Sequence, residues 1–106
     1  MQLEGGRCCV GGPEGEPVNI TADFEAVSPF AEVTQMRTME QCRTADEMIH
    51  VNWEPFMSTK VFQFTPPVSN WFSFTISVQF RDARGNLSAV YCDEIGVEGM
   101  PVTRIP

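Results

Sequence analysis

The stretch Phe72-Ser73-Phe74-Thr75-Ile76-Ser77-Val78-Gln79-Phe80-Arg81-Asp82 decides how this chain folds. Phe72, Phe74, Ile76, Val78 and Phe80 fall at every second position, and Ser73, Thr75, Ser77, Gln79 and Arg81 fill the gaps. Successive side chains of a β-strand point to opposite faces, so an unbroken period of two places one dry face on a core and one wet face toward solvent. By this pattern Gln79 and Arg81 are expected in water. The segment that follows, Asp82-Ala83-Arg84-Gly85-Asn86, reads as a tight turn. Gly85 can take a positive φ there, and the Asp82 carboxylate can accept backbone amide hydrogens. The returning strand is expected over Leu87 to Tyr91 and Ile95 to Val97.

Working back toward the start, Val18, Ile20, Ala22, Phe24 and Ala26 alternate with Asn19, Thr21, Asp23 and Glu25, which predicts a strand closed by Ser28-Pro29. Ala31 to Met39 reads as a second strand, with Met36 inward and Arg37 outward. Thr44 and Glu47 have the spacing of a capping box and predict one or two helical turns. A short strand is expected over Val51 to Trp53, and another over Thr59 to Thr65, with Phe62 and Phe64 on one face and Val61 on the other. Pro66-Pro67 ends the latter, since proline cannot donate to a ladder. Strands punctuated by Pro, Gly and Asn, with hardly any helix, predict an all-β antiparallel sandwich of about seven strands with one short helical turn. A closed barrel is the alternative. Residues 18–98 form the predicted sandwich, 1–17 a Gly/Pro-rich lead-in, and 99–106 a tail or the start of a linker.

The chain has 106 residues, which suits one domain. Seven basic and fourteen acidic residues give a net charge of -7, and Lys60 is the only lysine. Such a surface repels a phosphate backbone, so nucleic acid is not an expected partner. No stretch approaches the ~20 apolar residues that span a bilayer, so membrane insertion is not expected either. The start lacks the pattern of a signal peptide, and the chain reads as a module of something larger.

Cys8, Cys9, Cys42 and Cys92 offer no Cys-x-x-Cys spacing for zinc or redox chemistry. An even count in a small acidic domain points to structural disulfides and an oxidising compartment. Four cysteines allow three pairings. A bond between adjacent cysteines would strain the peptide between them, so the expected arrangement ties Cys8 and Cys9 to Cys42 and Cys92.

Trp53-Glu54-Pro55-Phe56, Val78-Gln79-Phe80-Arg81-Asp82, Gly85-Asn86-Leu87-Ser88 and Asp93-Glu94-Ile95 together resemble the bacterial immunoglobulin-like or fibronectin type III-like repeats of large secreted and surface proteins. The resemblance covers about residues 19–98, and Gln35-Met36-Arg37 matches the second strand of those repeats. It implies a spacer, scaffold or adhesion accessory at the cell surface or outside the cell, neighboured by other domains of the same polypeptide and without an enzyme site. It also implies that Trp53 packs on the core. The cysteine-bearing lead-in and the Cys42 segment depart from the usual repeat and point to a disulfide-bearing subgroup.

Catalytic chemistry finds little support. His50 is the single histidine, and there is no Gly-x-Ser-x-Gly elbow and no His-Glu-x-x-His pair. A Ca²⁺ site would need Asp23 and Glu25 on the first strand to meet Asp93 and Glu94 on the last; the spacing is unlike an EF-hand loop, and a solvated acidic face explains the same residues. No other cofactor is implied. Trp53, Phe56, Trp71 and Phe72 fall near strand ends, where exposed rings could stack on a sugar or anchor a protein, Trp71 foremost. Three functions follow: a structural or protein-interaction module, a carbohydrate-binding accessory domain marked by coplanar exposed aromatics, or a module that assembles through a bare edge strand. The chain is expected to be a monomer or weak homodimer.

Overall fold

The computed structural model describes residues 1–102. In chain order these form β1 (Gln2–Leu3), a single 3-10 turn (Glu4–Gly6), β2 (Cys9–Pro13), β3 (Val18–Asp23), β4 (Val33–Glu40), α1 (Ala45–Met48), β5 (Glu54–Pro55), β6 (Thr59–Phe64), β7 (Trp71–Asp82) and β8 (Tyr91–Met100). Two sheets face each other. One has the order β1-β3-β6, and the other β2-β8-β7-β4-β5. All pairings are antiparallel except that of β2 with β8.

The alternation read in β7 builds the core as expected. Phe74, Ile76, Val78 and Phe80 turn inward with Met36, Ile95 and Val97, and meet Leu3, Ile20, Ala22 and Phe24 from the smaller sheet. Aromatic rings interlock between the sheets: Phe64 lies 5.6 Å from Phe72 and 6.0 Å from Phe74, while Phe24 meets Phe80 edge to face at 6.3 Å. Such pairs add about 0.5–1.5 kcal/mol beyond the area they bury.

Each lateral seam of the sandwich is closed by a charged group. On one side the Asp93 carboxylate, facing inward from β8, accepts the Leu3 amide at 3.0 Å. On the other, Lys60 on the inner face of edge strand β6 reaches Glu54 at 2.7 Å and the Thr38 hydroxyl at 3.5 Å. An inward-pointing charge on an edge strand discourages pairing with another chain, because any partner edge must leave that charge desolvated.

Several expectations change. Residues 1–17 are more than a lead-in, since β1 and β2 join separate sheets, and Gly99 and Met100 belong to β8 rather than to a tail. Residues 103–106 of the expected tail lie outside the described residues. The short strand after α1 is Glu54–Pro55, not Val51 to Trp53, because the Met36–Glu54 and Gln35–Pro55 pairings place it at the β4 edge, where a proline is tolerated. Leu87 makes only an isolated bridge to Arg81, and the returning strand begins at Tyr91.

The disulfides are Cys8–Cys9 and Cys42–Cys92, which overturns the expected long-range ties for the N-terminal pair. Cys92 pairs opposite Ser77 in the ladder, and the turn after β4 brings Cys42 over that position with its Cα 5.5 Å from that of Cys92, leaving no distant partner for Cys8 or Cys9. Arg43 N–H donates to the Ser77 hydroxyl at 2.7 Å, and that hydroxyl donates to the Gln41 carbonyl. The helix that follows carries the predicted capping box, with Thr44 Oγ1 accepting the Glu47 amide at 3.3 Å and Glu47 Oε1 accepting the Thr44 amide at 3.1 Å. Met48, the buried residue of α1, anchors it.

Candidate functional site

Met1 and the turn after β7 lie at one pole of the sandwich, and Met100, Pro66 and Trp71 at the other. At the Met1 pole the two sheets part around a pocket of about 340 Å³ floored by Phe80 and Val33 and rimmed by Val27, Phe30, Leu87 and Tyr91. Val27 is 91% exposed, and the other three rim residues are more than half exposed. The polar wall is the Asp82 turn. Asp82 Oδ1 accepts the amides of Arg84 and Asn86, both at 2.9 Å, while Oδ2 accepts the Ser28 hydroxyl at 2.8 Å and the Asn86 side-chain amide at 3.0 Å. Gly85 has φ 85°, the left-handed conformation this turn requires.

Burial opposes the charge on Asp82, but the hydrogen bonds from Asn86, Ser28 and Arg84 outweigh it and hold the carboxyl at about 2, below its ordinary 3.8. A depressed folded-state value contributes stability that is complete above the unfolded value and is lost as pH falls through the folded one. Asp82→Asn is therefore expected to lower the melting temperature at neutral pH, with the gap to the parent closing between 3.8 and about 2. A gap that stays constant down to acid would show that the charge plays no part.

On the outer face of the larger sheet, antiparallel pairing sets Gln35 opposite Arg81 and Arg37 opposite Gln79. Arg37 donates from Nε and Nη2 to Gln79 Oε1 at 3.0 and 2.7 Å, and Arg81 donates to Gln35 Oε1 at 2.7 Å from Nε and again from Nη2. Trp53 covers both guanidinium groups, whose centres lie 4.1 and 4.4 Å from the ring centroid. Burial, then the proximity of Arg81, lowers the Arg37 pKa. Gln79 is 3% exposed and Arg37 6%, so the expectation of solvent for Gln79 fails. Trp53 packs on the outer face rather than on the core. Strand alternation fixes a direction, not an exposure, and an indole from the next segment can close over a polar row. The signal was present as two Gln-x-Arg triplets, at 35–37 and 79–81, which match reciprocally only when antiparallel.

At the Met100 pole the indole of Trp71 is 56% exposed and lies over Gly96, where a Cβ would come within 3.6 Å of the ring. Glu98 stands directly across the ladder from Trp71 on the same face. Glu94, two residues before Gly96, accepts the Ser73 hydroxyl at 3.2 Å. Cys9 of the Cys8–Cys9 disulfide pairs with Gly96 from the other side.

The residues expected to form sites are thus distributed. Phe72 and Phe56 turn inward, the latter 6.1 Å from Phe80, so neither joins Trp71. Arg81, which Trp53 covers, lies ten positions along β7 from Trp71, roughly 33 Å of strand. Asp23 accepts the Thr59 hydroxyl at 3.2 Å and Glu25 lines the pocket, both at the Met1 pole, while Asp93 points inward and Glu94 outward. β3 and β8 lie in different sheets, so these four carboxylates do not share a face. Among the described residues no three His, Cys, Asp or Glu side chains converge, and all four cysteines are in disulfides, which removes a Cys-His nucleophile.

Three strands facing five, with the chain crossing between sheets after β1, β2, β3, β5 and β6, define an immunoglobulin-like, fibronectin type III-like sandwich. No family model and no curated protein matches the chain. Among solved structures it is similar to the fibronectin(III)-like modules of CbhA from Clostridium thermocellum, at 14% identity and a TM-score of 0.49, over 96% of this chain and 98% of that one.

Proposed function

We propose that this chain is a non-catalytic structural and protein-contact module of a larger extracellular polypeptide. The observation that carries this reading is an apolar pocket at one end of the sandwich, ringed by exposed Val27, Phe30, Leu87 and Tyr91. A neighbour attached at that end would cover the ring. Two disulfides and a surface rich in carboxylates suit an oxidising, aqueous setting. No helix among the described residues is long and apolar enough to cross a membrane.

The other two readings draw less support. Flat polysaccharide binding calls for coplanar exposed aromatics, whereas Trp53 is occupied by two arginines and Trp71 stands apart. Edge-to-edge assembly calls for a bare strand, whereas β6 carries inward Lys60, β5 and β2 contain Pro55 and Pro13, and β1 has two residues.

Two copies fused head to tail test the pole reading. The expected product is an extended molecule by small-angle scattering, with amide shifts of the second copy changed around residues 25–33 and 82–91. A compact side-by-side pair, with changes confined to the sheet faces, would overturn it.

A further inference from the structure

We propose that the Trp71 face at the Met100 pole binds a basic partner protein, by stacking an arginine or lysine side chain on the exposed indole between Glu94 and Glu98. This surface is separate from the pocket at the Met1 pole, and either can fail without the other.

Gly96 leaves room beneath the indole, and the ring rests on bare backbone with more than half its surface in water. Glu98 flanks it across the ladder, and Glu94 is steadied on the other side by Ser73. Cys9 pairs with Gly96 from β2, and the Cys8 carbonyl accepts the Gly96 amide at 3.3 Å, so the far rim is a short, cross-linked segment.

The molecule itself supplies the pattern of occupancy. Trp53, on the same outer face, carries two guanidinium groups whose hydrogens are taken by the oxygens of Gln35 and Gln79. Beside Trp71 the neighbouring acceptors are carboxylates, Glu98 across the ladder and Glu94 holding the Ser73 hydroxyl, and among the described residues no cation lies over the ring. A cation over an indole face is favoured by the ring quadrupole, and two carboxylates beside it add charge-assisted hydrogen bonds. The net charge of -7 steers a basic surface toward the site and an acidic one away.

The test is an amide and indole NMR titration of the full chain with acetyl-Gly-Arg-Gly-amide, and in parallel with its uncharged citrulline counterpart. The arginine peptide is expected to shift the Trp71 indole and the amides of residues 94–98 saturably, with binding that weakens about fivefold in Glu94→Gln/Glu98→Gln and fades as salt rises to ~0.5 M. Trp71→Ala is expected to abolish the shift while melting like the parent, since the ring is exposed; should it fail to fold, the double glutamine variant carries the test. Equal shifts from the citrulline peptide, binding indifferent to the glutamine pair, no shift at all, or a stronger response to neutral glucan oligosaccharides would each overturn the proposal.

Discussion

Ile76→Asp is expected to yield a chain with no cooperative unfolding transition. Ile76 is 0% exposed at the middle of β7, with Phe74 and Val78 on the same inward row and Glu40 and Asp93 as its ladder partners in β4 and β8. A carboxylate there has no partner and no water. Burying an unpaired ionisable group costs about 4 kcal/mol or more, against a total stability of roughly 5–15 kcal/mol for a domain of this kind. Val61→Asp serves as the matched control, because Val61 is exposed on the outward side of β6 and is expected to change stability by less than about 0.5 kcal/mol. Urea titration followed by near-ultraviolet circular dichroism separates the two. A parental midpoint for Ile76→Asp would mean that β7 is not the centre of the core.

The second large effect concerns the Cys42–Cys92 bond. Its sequence separation of 50 closes a loop whose entropy, by the chain-entropy model, is worth about 4 kcal/mol. The bond also holds Gln41 and Arg43 against Ser77, so its loss frees the segment that buries the outer side of β7. Cys42→Ser/Cys92→Ser is expected to melt roughly 15 °C or more below the parent. Cys8→Ser/Cys9→Ser, which opens a loop with a sequence separation of 1, is expected to stay within about 1 kcal/mol of it. Full reduction should then match the Cys42/Cys92 variant alone. If the adjacent pair proves the more damaging to lose, β2 is holding the sandwich together to a degree its position at the sheet edge does not suggest.

Much of the architecture could be read from side-chain period alone. β7 announced itself through five alternating apolar residues, β3 through Val18, Ile20 and Ala22, and the helical turn through Thr44 and Glu47, because each depends on neighbours within a few residues. Contacts between segments distant in sequence were harder. β2 is Cys-Val-Gly-Gly-Pro, with no alternation to display, and it is a strand only because the edge of β8 lies open for it. Gln79 looks like a solvent-facing residue until Arg37, itself covered by Trp53 from a different segment, and the Ser88 carbonyl close on its amide. The cysteine pairing followed the same rule: it was set by the ladder position of Cys92 opposite Ser77, which no spacing in the sequence encodes. Among the proposed contact residues, Trp71 could be singled out from its strand end, whereas Gly96 and Glu98 became its neighbours only through the register of β7 with β8.

The parallel pairing of β2 with β8 has a mechanical meaning. Both strands run away from the Met1 pole, and they are joined at five successive positions from Cys9–Gly96 to Pro13–Met100. Tension applied between the two ends of the chain drags β2 and β8 past each other along their own axes. All five positions then resist together in shear, where an antiparallel hairpin pulled from its open end would unzip one rung at a time. Should that clasp slip, the Cys42–Cys92 bond still withholds the chain between those residues from stretching, so a sudden pull lengthens the module by only part of its contour.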